Sequence, residues 1–284
     1  MMSFGRARPP GAPSRPQRAA RRSAPTMVGL FMLTLVVLAA LLAALLAKHG
    51  PSEQPFRAEV FAAPSKTYWL GVDGLGRDER TRLLYGARAS LSIALGATVI
   101  AIGCGTLLGA AAGTWLGLFD AAVSHVVDFL LAFPSILLGL VALTVMPPSP
   151  TSVAVAVGVA SLPTVARQVR AAFLSEGAKD YVLAAKSIGA GRWRVAAVEI
   201  LPNCAGLILA LTALTLGGAV LEAAGLSFLG LTGQPGVAEW GMMLREDMSA
   251  FRIAPWLCIA PGVAIAWTVL GFNLISDGLQ QRRR

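Results

Sequence analysis

The chain has 284 residues, 55% of them hydrophobic and only 14% charged, with a formal net charge of +9. A soluble domain carries about a quarter charged residues, so the composition argues against a soluble protein. Apolar blocks of about twenty residues, each enough to cross some 30 Å of hydrocarbon, point to transmembrane helices. The blocks are continuous rather than alternating, which argues against a β-barrel. The basic residues flank these blocks, so they read as membrane orientation rather than nucleic-acid binding.

Residues 1–25 hold Arg6, Arg8, Arg15, Arg18, Arg21 and Arg22, many prolines and no acid. They predict a disordered, cytoplasmic tail that fixes orientation or touches anionic lipid. The first span is 26–47. A signal-peptide core is about 7–15 residues, so this longer block reads as uncleaved. The Arg21-Arg22 pair has no folded soluble domain behind it to export. Residues 48–88 mix both charges and predict an extracytoplasmic segment. Further spans follow at about Ala89–Thr114, Ala121–Met146, Thr151–Ala172, Cys204–Phe228 and Ile253–Ile275. "PPSP" at 147–150 predicts a tight turn, and Pro134 a kink or a helix start. Leu231–Arg252 reads as a loop, and 280–284 as a basic tail. The fold class is all-α: a polytopic membrane protein of about six helices. Six spans place both termini and the 175–203 segment on one face. Arg167, Arg170, Lys179, Lys186, Arg192 and Arg194 also lie there, and the positive-inside bias makes that face cytoplasmic.

The segment "DYVLAAKSIGAGRWRVAAVEILPN", Asp180 to Asn203, is too polar to span. Tyr181, Ala184, Ala185 and Ile188 share one helical face, and Trp193, Ala196, Ala197 and Ile200 repeat the spacing. Gly189-Ala190-Gly191 predicts a hinge, and Pro202 a stop. The pattern allows two readings. One is a helical hairpin whose alanines let another backbone approach. The other is a helix pair lying at the lipid headgroups.

Asp128 and Glu222 are ionisable residues near span ends. They are candidates for the translocation path, or for capping and interhelix bonding. Asp78 predicts a helix cap, with metal binding by Asp73 and Asp78 as the lesser reading. Arg82 and Arg88 are expected to snorkel outward, and Trp240 and Trp256 to sit in an outer aromatic belt. Cys104, Cys204 and Cys258 read as packing residues. His49 and His125 suggest no ligand role. No phosphate-cradling GxxxxGK[ST] occurs. No nucleophile–base pair stands out, and the expectation is no covalent chemistry, no bound cofactor and no metal.

The segment resembles the "EAA" loop of the membrane subunits of binding-protein-dependent ABC importers, which reads EAA, three residues, Gly, then a terminal I-x-L-P. Here Leu183-Ala184-Ala185 is followed by Lys186, two residues and Gly189, then by Ile200, Leu201 and Pro202. Leu183 replaces the Glu, and Ile200 adjoins Leu201 without a spacer. "WLGVDGLGRDERTRLLYGARASL" (Trp69–Leu91), "DFLLAFPSILL" (Asp128–Leu138), "LEAAGLSFLGL" (Leu221–Leu231), "EWGMML", "APW" and "GFNLISDGL" (Gly271–Leu279) extend the resemblance in order. Together they resemble the second, six-span permease of dipeptide, oligopeptide and nickel importers, over about 55–280. The resemblance implies an ABC importer type-1 transmembrane fold over 89–279 in a bacterial inner membrane. It implies that 175–203, with Asp180, Tyr181 and Trp193, docks on a separate ATPase subunit that holds ATP and Mg. It implies a second, homologous permease, and an extracytoplasmic binding protein docking near Gly71–Asp78. The substrate it favours is a peptide, then nickel. An ion-driven secondary transporter would need more buried charge in the spans.

Overall fold

A computed structural model describes residues 15–47, 49–56, 59–231 and 236–281, with side chains from 25 onward. Most of the basic tails therefore lie outside the described residues. Helix α1, Arg15–Leu41, begins about ten residues before the expected span. Arginine and alanine are strong helix formers, and Pro16 sits in the first turn, where its missing N–H costs nothing. A short turn, α2 (Ala43–Leu46), follows. The rest is α3 (Glu79–Thr114), α4 (Leu118–Leu131), α5 (Ser135–Thr144), α6 (Pro150–Gly177), α7 (Asp180–Ser187), α8 (Arg192–Arg194), α9 (Leu201–Phe228), α10 (Trp240–Asp247) and α11 (Trp256–Gln281). Among the described residues, four helices are long and apolar enough to cross a membrane: α3, α6, the continuous run Arg192–Phe228 and α11. The pair α4–α5 makes a fifth, and Pro25–Leu41 is a shorter apolar helix.

The expected third span is not one helix. α4 and α5 meet at 93°, because Pro134 has no N–H to give and its own ψ of 133° is extended rather than helical. Its neighbours show that the pair crosses once. α3 and α6 run parallel, since Gly105 meets Val165, Gly109 meets Val169 and Gly113 meets Phe173. A Cβ on Gly109 would collide with the Ala166 carbonyl, so glycine sets how closely these two backbones pack. Parallel neighbours oblige the chain to return between them. α4 and α5 make that return as a broken span rather than a re-entrant loop.

α9 and α11 run antiparallel. The Ser276 hydroxyl donates to Ala210 O at 2.9 Å, while Gly217 faces Phe272. α11 and α1 are antiparallel too. Trp267 Nε1 donates to Met32 O at 3.2 Å, and Thr26 packs on Gly278. One end of the bundle thus holds Thr26, Gly278 and the 178–200 segment, and is called the α7 end below. The 49–78 segment and α10 form the opposite, α10 end. One buried cluster joins α3, α6, α9 and α10 through Ala94, Val157, Ala223 and Met243. A second, with Val169, Phe173, Val182, Val195 and Ile200, lies under the α7 end. The expected loop 231–252 contains α10. Its Trp240 is buried, with Nε1 donating to Leu83 O at 3.1 Å, so it is a core residue rather than part of an aromatic belt. Trp256 packs over Gly71.

Candidate functional site

At the α7 end, α7 is anchored in the buried cluster beneath it by Val182. Val182 is fully buried, while Tyr181, Leu183, Ala184 and Ile188 face outward. Ile188 is 87% exposed and Leu183 49%. Tyr181, Ala184 and Ile188 thus share one outward face, with Ala185 half-buried beside it. The Tyr181 hydroxyl donates to Glu176 at 3.0 Å and Lys179 pairs with the same carboxylate at 2.7 Å, which ties α7 to the end of α6. Asp180 lies in its first turn, facing the positive helix end.

The hinge is one glycine. Gly189 has φ +88°, whereas Gly191 has φ −67° and needs no glycine. The Ala190 N–H donates to Ala185 O at 3.1 Å and the Gly189 N–H to Lys186 O at 3.0 Å. These two bonds close a Schellman cap, whose first residue beyond the helix is left-handed. Nothing lies within 4 Å of a Cβ at Gly189, so backbone conformation alone demands glycine there.

The second half differs from the expected hairpin. Pro202 does not end a helix; α8 passes through a π-helical stretch, Val195–Ile200, straight into α9. The Leu201 N–H reaches back to Ala196 O. That wider turn makes room for a proline ring, which would clash with a carbonyl four residues back in a regular α-helix. It also rotates the side chains out of the expected face. Ala196 and Ile200 are buried, Ala197, Leu201 and Pro202 are exposed, and Trp193 packs edge-on against Trp115 at 4.4 Å.

Asp128 and Glu222 do not meet. Asp128 pairs with Arg167, and its neighbour on α4, Asp120, holds Arg170 at 2.7 Å. Two ion pairs therefore clamp α4 to α6. Glu222 of α9 accepts from the Ser135 hydroxyl at 2.6 Å and from Ser161 at 3.5 Å. Ser135 is the first residue of α5, so this carboxylate faces the positive end of the half-helix created by the break. Neither serine drew attention in the sequence, because polar residues 87 and 61 positions from Glu222 carry no local pattern.

The sequence profile of the family described as the binding-protein-dependent transport system inner membrane component matches residues 105–282. The chain belongs to this permease family. A second profile, the N-terminal TM domain of oligopeptide transport permease C, matches residues 18–64 of the permease. It is 38% identical over 254 residues to a dipeptide transport system permease protein of Alkalihalophilus pseudofirmus, covering 89% of this chain and 83% of the relative. It is 39% identical over 266 residues to the dipeptide transport system permease protein of Escherichia coli, covering 92% and 88%. It is also 37% identical over 271 residues to a glutathione transport system permease protein of Pectobacterium atrosepticum, covering 93% and 87%. It is a multi-pass inner-membrane protein.

At the α10 end of the permease, the "GVDGLGRD" turn builds a buried charge network. Asp78 caps α3, accepting from the Thr81 N–H at 3.0 Å and the Thr81 hydroxyl at 2.6 Å. Asp73 accepts from the Leu75 and Arg77 N–H groups, each at 2.9 Å, and binds the Arg77 guanidinium at 2.5 Å. Both side chains are thus committed within the chain, which leaves the lesser metal reading without support. Arg82 does not snorkel. It is fully buried between Asp73 at 3.7 Å and Glu246 of α10 at 2.8 Å, and Arg77 also binds Glu246, at 2.6 Å. Glu79 is buried beside them without a hydrogen-bond partner. Burial, then repulsion from Asp73, pushes Asp247 up from 3.8 to about 7. Glu246 is lowered: burial opposes its charge, but Arg82, the Gly236 N–H and Arg77 outweigh it. The sequence flagged Asp73 and Arg82 but not Glu246, which lies 164 positions from Arg82.

Proposed function

We propose that this permease forms half of the translocation path of an ATP-driven importer of peptide-type substrates, and that Asp180–Pro202 couples it to a separate ATPase subunit. The observation that carries the coupling is the outward face of α7. Leu183, Ala184 and Ile188 are open at the end of a bundle to which α7 is tied by Val182, Glu176 and Tyr181. A helix so held moves with α6 and α9 rather than independently, as a lever must. ATP and Mg act on the ATPase, and this chain supplies no cofactor and no covalent step. A second, homologous permease completes the path, and an extracytoplasmic binding protein delivers the substrate. The α7 end, with both termini, faces the cytoplasm. ATPase closure moves the two α7 levers and opens the path outward, and hydrolysis resets it. The relatives' names favour a dipeptide or a glutathione-like peptide over nickel.

A pull-down of the tagged chain in mild detergent, with mass spectrometry, tests the reading. Near-equal recovery of a P-loop ATPase and a second permease is expected. A cysteine placed at Ile188 should cross-link to that ATPase. Repeated recovery of the folded chain alone would overturn the proposal.

A further inference from the structure

The α7 end holds a cavity of about 550 Å³ between the ends of α3 and α6 and the turn after α7. Its floor is apolar, with Phe173, Leu174, Val195 and Ile200, and its lining includes Lys186 and Arg192 but no acid. Six basic residues at this end set the orientation expectation, and the structure divides them. Arg167, Arg170 and Lys179 are each paired with a carboxylate. Lys186, Arg192 and Arg194 form no ion pair among the described residues, and the first two line the cavity. Two like charges beside one apolar hollow repel each other, and an anion between them removes that cost. Beside the cavity, Trp115 packs edge-on against Trp193 and Phe119, and tryptophan is enriched where hydrocarbon meets headgroups. Leu116 and Leu118 nearby are exposed, a surface suited to acyl chains.

We propose that this cavity binds the headgroup of an anionic phospholipid, with Lys186 and Arg192 on the phosphate and the apolar floor under the glycerol and the first acyl carbons. A small soluble anion would leave that floor uncovered. The volume lies in the usual range of about 300–1,000 Å³ for small-molecule sites. Since Lys186 lies in the last turn of α7 and Arg192 begins the run into α9, the bound lipid bridges the two sides of the Gly189 hinge. The lipid site rests on the membrane fold alone and stands whether or not α7 couples to an ATPase.

The test is native mass spectrometry of the full chain, purified alone and exchanged into nanodiscs of phosphatidylcholine with or without phosphatidylglycerol. The expected result is one retained phosphatidylglycerol and no retained phosphatidylcholine. Apparent affinity should fall about thirtyfold in the K186Q/R192Q double variant. Arg194→Gln removes a nearby cation that does not line the cavity and should change little, so general loss of charge is separated from loss of the site. A melting curve in detergent separates misfolding from lost binding. Equal retention of both lipids, or unchanged binding in the folded double variant, would overturn the proposal. So would displacement by glycerol 3-phosphate, which would make the ligand a soluble phosphate. Loss of the retained phosphatidylglycerol when a separately purified partner ATPase is added would assign the cations to a protein partner instead.

Discussion

The two ends of this bundle treat charge in opposite ways. At the α10 end, Asp73, Arg77, Arg82 and Glu246 are drawn into the interior and bonded to one another across 164 positions of sequence. At the α7 end, Lys186, Arg192 and Arg194 stand in the open, and apolar Ile188 and Trp193 are exposed beside them. A buried ion network is costly to assemble and more costly to break, because each partner removed leaves a desolvated charge behind. Exposed cations and apolar side chains contribute almost nothing to the fold, so their placement answers to something outside the chain. The contrast places the buried ion network at one end and the unpaired cations at the other.

The largest effect should come from breaking the network at its centre. Arg82→Ala leaves Asp73 and Glu246 with Arg77 as the one remaining cation bonded to both among the described residues. It should cost about 3–5 kcal/mol, visible as a collapse of the thermal unfolding temperature in detergent. A loss under about 1 kcal/mol would mean that water reaches the cluster and that the ends do not differ in kind.

Asp247 gives the same network a pH signature. Its carboxyl is raised from 3.8 to about 7 by burial and then by Asp73. A carboxyl raised on folding contributes stability that is full below the unfolded value and is lost as pH rises through the folded one. Asp247→Asn removes that loss. The variant should match the parent near pH 4 and exceed it above pH 7, by up to about 4 kcal/mol. Parallel melting curves would sink the assignment if the gap did not widen between those limits.

Gly189→Val tests the α7 end. Nothing lies within 4 Å of the added Cβ, so the main cost is backbone strain at φ +88°, about 1–2 kcal/mol. The global unfolding temperature should move little, while substrate uptake should fall and ATP hydrolysis continue without it. Gly191→Ala, at φ −67°, is the matched control and should be silent. Normal uptake in a well-expressed Gly189→Val variant would remove the lever.

How far the sequence foresaw this depends on how local each cause is. The apolar blocks, the Asp78 cap, the Gly189 turn and the Pro134 break are set by neighbours along the chain, and each was legible there. The 93° size of the break was not, since α6 and α9 decide where α5 can dock. Pro202 misled because the usual proline rule assumes a regular helix, and one π-turn suspends it. Arg82 and Trp240 misled for the opposite reason. Each has a plausible surface role in its own stretch, and only Glu246 and the Leu83 carbonyl, brought close by the fold, draw them inside.

Ile188→Asp should have the smallest effect on the fold and sharpens the comparison most. The side chain is 87% exposed and touches no described core cluster, so stability should change by less than about 0.5 kcal/mol. A charge there still spoils an apolar contact with any docking subunit, which would have to bury it without a partner. Recovery of the ATPase in the pull-down should therefore drop at least tenfold, while the second permease is recovered as before. If both partners were lost together, Ile188 would belong to the assembly of the membrane domain, and the exposed face of α7 would be an ordinary subunit contact. If neither were lost, the ATPase would have to grip the segment elsewhere, through Asp180 and Tyr181 at the start of α7 or through Trp193 beyond the hinge. The single substitution thus separates a face built for docking from one that is merely open.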